Sequence, residues 1–123
     1  MDRLYILTTT LLLAHQIDSA YWREWNLFGI PGGIQVFVLL NVLITLPFLA
    51  GLAAVARRAR AGVGFALALA LVGIATFSIH VWLALRGHSE FGLPASWVIL
   101  CGTLLSSLGL GWRAVGECRR TSR

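Results

Sequence analysis

Six ionisable side chains collect toward one end of the chain's long apolar runs: His15, Asp18, Glu24, His80, His88 and Glu90. An imidazole can ligate a metal through one ring nitrogen, carry a proton near neutral pH, or give its second nitrogen to a group that fixes its tautomer. Imidazole nitrogen and carboxylate oxygen together suit zinc, iron or manganese. The same set can relay protons or act as acid and base. His15 and Asp18 stand at i,i+3 spacing, which brings them near one helical face. His80 comes from a later run, with His88 and Glu90 just beyond it. An H-x-x-D pair is a weak signal. A buried structural hydrogen bond between helices explains His15 and Asp18 as well as ligation does. His88 and Glu90 also suit a solvated loop, and Glu24 an ion pair with an arginine at headgroup level.

The elements that must position these groups follow from composition. Hydrophobic residues make up 58% of the 123 residues and charged residues only 12%, against roughly 25% charged in an ordinary globular domain. The chain therefore reads as one polytopic membrane domain over residues 1–123. Four apolar runs, about 4–22, 35–56, 63–85 and 95–115, each come near the roughly 20 residues needed to cross a hydrocarbon core. In lipid every backbone donor and acceptor must be satisfied within the segment, so these runs predict helices. The expected fold is an all-α, four-helix transmembrane bundle, with a kink at Pro47. The first run is longer than a secretory signal's apolar region and continues into His15-Gln16-Ile17-Asp18, so it predicts a retained helix.

Arginine placement orients the bundle. Every basic residue is arginine. Arg3, Arg57, Arg58, Arg60, Arg113, Arg119, Arg120 and Arg123 share one side, and Arg23 and Arg86 lie on the other. The positive-inside rule puts both termini in the cytoplasm of a bacterial inner membrane. The net charge of +5 then serves topology and headgroup contact, not nucleic acid. Trp22, Trp25, Trp82 and Trp97 mark the outer interface. Arg23-x4-Phe28-Gly29-Ile30-Pro31 and Arg86-x4-Phe91-Gly92-Leu93-Pro94 repeat one pattern after the first and third runs, which suggests a tandem duplication of a two-helix hairpin.

His15, Asn41, His80 and Cys101 fall at similar depth in the outer half. Asn41 and Cys101 are therefore supporting polar candidates, Asn41 as an interhelical hydrogen bond and Cys101 as a small packing residue. Cys101 and Cys118 suggest free thiols, not a disulfide framework. Gly62, Ala66 and Ala70, with Gly64 and Ala68, form small-residue rows on the third helix and predict close helix approach. Phosphate-binding glycine loops, C-x-x-C pairs and haem-attachment motifs are absent from the sequence.

His15, Asp18, Glu24 and Trp25, followed by Ile79-His80, His88-Ser89-Glu90-Phe91 and Ser96-Trp97, resemble the motifs of an uncharacterised bacterial family of small four-span integral membrane proteins, a domain of unknown function. The resemblance covers nearly the whole chain. It implies the four-span topology and a shared polar site, and no reaction. The family pattern carries a histidine in the second span where this chain has Asn41.

The leading expectation is an outward-facing intramembrane pocket of His15, Asp18, Glu24, His80, His88 and Glu90. It would bind a small ligand, a lipid headgroup or a divalent metal, with no reaction assigned. The alternatives are a non-enzymatic assembly or accessory protein whose polar residues specify helix packing, and an oligomeric channel or transporter. Expected partners are the lipid bilayer, a lipid or small-molecule ligand, and a second copy or another membrane protein.

Overall fold

A computed structural model describes residues 1–121; Arg123, counted above among the inner arginines, lies outside them. The described residues form five helices: α1 (Asp2–Tyr21), α2 (Glu24–Leu27), α3 (Gly33–Ala56), α4 (Ala61–Leu85) and α5 (Pro94–Thr121). The all-α expectation holds, and the four long helices coincide with the four apolar runs. The short α2 was not foreseen, and α5 runs past the expected end at residue 115.

Three of these helices, not four, are long and apolar enough to cross a membrane: Gly33–Ala56, Ala61–Leu85 and Pro94–Arg120. The exception is α1. It has the length, but Thr8, Thr9, Thr10, His15, Gln16, Asp18 and Ser19 dilute its leucines. Those polar residues are not turned outward at random. Tyr5, Thr8, Thr9, Leu12, His15 and Ser19 are its buried positions, and steps of three and four residues put them on one stripe. Ile6, Leu7 and Ile17 face out. Polar residues line the inside of α1 and apolar ones the outside, the arrangement expected where the surroundings are lipid.

Around the bundle, α1 packs against α3 and α5, and α4 packs against the same two helices. No contact joins α3 to α5 among the described residues, whereas α1 and α4 meet across the centre. The short diagonal is thus the α1–α4 line, and His15 and His80 lie on it. At the end holding the chain termini the core is apolar, with Tyr5, Leu12, Val55, Leu69 and Leu110 in one cluster. Small residues permit the approach. The Tyr5 hydroxyl and Phe65 occupy the space a side chain on Gly51 would need, and that hydroxyl donates to the Phe48 carbonyl at 3.1 Å. Gly73 likewise admits Ser107 of α5. The Gly62, Ala66, Ala70 row is buried as expected. The Gly64 and Ala68 row is not: both are exposed, because two rows two residues apart cannot both face one neighbour on a helix of about 3.6 residues per turn.

Helix α3 is packed along only half its length. Its buried residues, Phe48, Gly51 and Val55, all follow Pro47. Proline has no N–H for the Leu43 carbonyl and crowds the preceding turn. The half before Pro47 exposes Val38, Leu39, Val42 and Leu43 and stands off from the bundle. One polar bridge crosses the gap, from the Thr45 hydroxyl to the Gln16 carboxamide oxygen at 3.4 Å. Asn41, expected to bond another helix, instead donates to Phe37 O of its own helix at 2.8 Å.

Candidate metal centre

The inward stripe of α1 ends at His15 and Ser19, one turn apart, and the Ser19 hydroxyl lies 3.3 Å from His15 Nε2. The chain leaves α1 at Trp22 and reverses at Arg23, whose φ of 52° is left-handed. A non-glycine residue in that region is uncommon. Its effect here is to swing the next residue, Glu24, back toward the bundle. From across the diagonal, α4 presents His80, which is 4% exposed. His15, Glu24 and His80 each offer one ligating atom, and all three atoms lie within 4.8 Å of one another. The imidazoles meet edge to face with centroids 4.6 Å apart.

Hydrogen bonding defines His80 further. Its Nδ1 lies 2.7 Å from the Thr76 carbonyl oxygen. A carbonyl can only accept, so Nδ1 carries the hydrogen. A neutral His80 then turns the lone pair of Nε2 toward Glu24 Oε1, 3.5 Å away. Two acceptors facing each other in a buried site require a positive charge between them. It can be a proton on Nε2 or a metal ion. In a tetrahedral zinc site with bonds near 2.0–2.1 Å, neighbouring ligand atoms sit about 3.3 Å apart; the His80–Glu24 pair, at 3.5 Å, is near that spacing, and the three atoms together lie within 4.8 Å. Ligating histidines typically give their other ring N–H to a carbonyl or carboxylate, as His80 does. Burial pushes the Glu24 carboxyl up, but polar contacts from His80 and Ser19 and the neighbouring imidazoles outweigh it, holding the group below its ordinary value. Glu24 is therefore ready to serve as an anionic ligand.

Phe91 closes the side away from the chain termini. Its ring packs 4.3 Å from His80 and 5.8 Å from His15, centroid to centroid. It is 3% exposed and has a φ of 66°. Phe28, its counterpart in the repeated motif, is 47% exposed with a φ of −96°. The two turns thus share a sequence pattern but neither backbone conformation nor burial.

The structure joins three of the six ionisable candidates and separates the others. Asp18 faces α5, where Ser96 donates to its Oδ1 at 3.0 Å. Three residues along a helix is a rotation of about 300°, enough to aim His15 at α4 and Asp18 at α5. His88 and Glu90 pair with each other, Nδ1 to Oε2 at 3.4 Å, in the more exposed turn outside Phe91. Cys101 is exposed on α5 and supports nothing at the site. Ser19, Thr76 and Phe91 belong to the site without having been candidates; the signals were the i+4 step that puts Ser19 above His15 and the repeated turn motif that holds Phe91, and Thr76 had none.

A family model described as a family of unknown function, DUF6713, matches residues 1–116. The chain belongs to DUF6713. No curated protein and no solved structure matches it. The DUF6713 match spans every residue of the cluster and lends it no chemistry.

In this DUF6713 chain the cluster borders a cavity of about 230 Å³ between α1, α2, α3 and α4. His15, Ser19, Glu24 and Thr76 stand on its polar side, and Leu12, Phe37, Leu40, Ile44 and Val72 contribute to its apolar walls. It lies where α3 stands off before Pro47. Among the described residues His15 Nδ1 has no hydrogen-bond partner.

Proposed function

We propose that this protein is a multi-pass membrane protein that binds one transition-metal ion through His15, Glu24 and His80. The observation that carries this reading is the convergence of three ligands from three separate helices, with His80 Nδ1 already held by a carbonyl. Two imidazoles and a carboxylate are a ligand set typical of zinc sites with an open position, and iron or manganese accept the same donors. Helix α1 crosses the membrane as a fourth segment beside α3, α4 and α5. Supporting this are its length of 20 residues, its contact with all three helices, and its inward polar stripe. The placement of the arginines supports cytoplasmic termini in a bacterial inner membrane and a site in the outer half of the bilayer.

Metal analysis of detergent-purified protein tests the centre. Wild type reconstituted with zinc and washed should retain one ion per chain. Asp18→Asn should retain it equally, since Asp18 bonds Ser96 and not the cluster. A wild type that washes free of zinc, iron and manganese alike would overturn the metal reading. Loss of the ion from Asp18→Asn with intact folding would show that the ligand set is wrong.

Topology is tested separately. Reporter fusions after Arg58 and at the C-terminus should report cytoplasm, and an insertion at Gly29 should report the outer side. A cytoplasmic signal at Gly29 would mean that α1 does not cross.

A further inference from the structure

We infer that the cavity beside the cluster receives a single-chain amphiphile with a neutral hydroxyl head, a long-chain alcohol, which arrives from the lipid between α1 and α3. The anchoring of the head deepens the metal proposal; the seat of the chain in the cavity stands without it.

The walls set the ligand's class. At about 230 Å³ the cavity lies below the roughly 300–1,000 Å³ of sites for drug-sized ligands. That volume favours one hydrocarbon chain over two. Leu40, Ile44 and Val72 suit methylenes. At the polar end His15 is 6% exposed and its Nδ1 has no hydrogen-bond partner among the described residues. Glu24 lies beside it. A carboxylate disfavours an anionic head at this distance. A hydroxyl satisfies both groups, since it donates to one and accepts from the other.

The route follows from a second hollow. A groove of about 480 Å³ on the outer side of the α1–α3 seam is lined by Leu13, Ile17, Val38, Val42 and Leu46. Gln16, Phe37 and Asn41 line both this groove and the inner cavity. These three residues stand between the two hollows. Among the described residues the long Gln16–Thr45 hydrogen bond is the side-chain bond that ties α1 to α3 there; before Pro47 α3 buries no residue, and its Phe37 ring meets Trp25 of α2 at 5.2 Å. The partition therefore works as a side door to the bilayer.

Protein in phosphatidylcholine nanodiscs would be irradiated with three photoreactive probes: diazirine-bearing hexadecanol, hexadecanoic acid and hexadecane. Labelled residues are then identified by peptide mass spectrometry. The alcohol should label Leu40, Ile44 and Val72 above the alkane by roughly two- to tenfold, the span of one hydrogen bond to the head. The acid should label less than the alcohol. A Gln16→Cys, Thr45→Cys pair in a Cys101→Ser, Cys118→Ser background, bridged with a bis-methanethiosulfonate, should lose this labelling and regain it with dithiothreitol. Equal labelling by alcohol and alkane would reduce the cavity to ordinary lipid contact and overturn the proposal. Undiminished labelling in the bridged form would overturn the lateral route. Zinc content of the same samples separates the two readings. Labelling without zinc upholds the amphiphile and removes the metal, and zinc without labelling does the reverse.

Discussion

Glu24→Gln and His80→Gln should each abolish stoichiometric metal binding while leaving a folded, membrane-inserted protein. Loss of an outer partner to a metal ligand already costs about 10–100-fold in affinity, and loss of a ligand from a set of three should exceed that. Both substitutions keep a side chain of similar reach that can still hydrogen-bond. Glu24→Gln also lets the carboxamide donate to the lone pair of His80 Nε2, which removes the facing acceptors at 3.5 Å. For that reason the thermal midpoint of Glu24→Gln without metal should equal or exceed that of metal-free wild type. Zinc titration by calorimetry and melting curves with and without zinc read both quantities. If zinc raises the midpoint of wild type and of Glu24→Gln by the same amount, Glu24 is not a ligand. If Glu24→Gln melts well below metal-free wild type, the pair is an ion pair that holds α2 to α4.

The second large effect lies at Phe91. Truncation of a buried phenylalanine to alanine typically costs about 3–5 kcal/mol, and the position at the rim of the bundle argues for the lower end. Phe91→Ala keeps the left-handed backbone at φ 66° while it loses the ring against His80 and His15, so nothing offsets the loss. The metal should also become accessible. Its transfer to a chelator should speed up much more than the midpoint change alone would cause, because the outer lid is gone. Phe91→Leu restores most of the volume and should recover both properties. The pair of measurements is a melting curve and the rate of zinc transfer to a colorimetric chelator. Unchanged release from Phe91→Ala would mean that the ion leaves by another path, and the cavity side is the remaining exit.

Much of the fold was legible because composition and periodicity act over twenty residues at a time. The four long helices and the approximate depths of His15 and His80 follow from such sums. The membership of the site was less legible, since it depends on single dihedral angles. Asp18 looked like the natural companion of His15, and the i,i+3 spacing is real. The angle that separates the two side chains is small in sequence terms but large enough to send one to α4 and the other to Ser96 on α5. Glu24 joined the cluster because Arg23 adopts φ 52°, a conformation that arginine does not announce. Phe28 and Phe91 illustrate the same limit. Identical spacing from arginine to proline was readable, but the burial of one ring and the exposure of the other were not. The span count is legible only in part for a related reason. Three helices are apolar enough to cross on composition alone, whereas the inward polar residues of α1 keep it out of that set.

That inward-facing polarity also bears on how the protein is made. Helix α1 precedes its partners in the chain, yet two of its ionisable residues meet their partners on later segments: Asp18 meets Ser96 of α5 and His15 meets His80 of α4. An aspartate at the centre of an inserted helix costs about 2.5–3.5 kcal/mol on biological insertion scales, and less toward the end of the helix, where Asp18 stands. Until α4 and α5 are synthesised, α1 is a poor candidate for stable residence in lipid. If α1 crosses as proposed, its commitment to the bilayer belongs to the end of synthesis, and the completed polar cluster is what would retain it there.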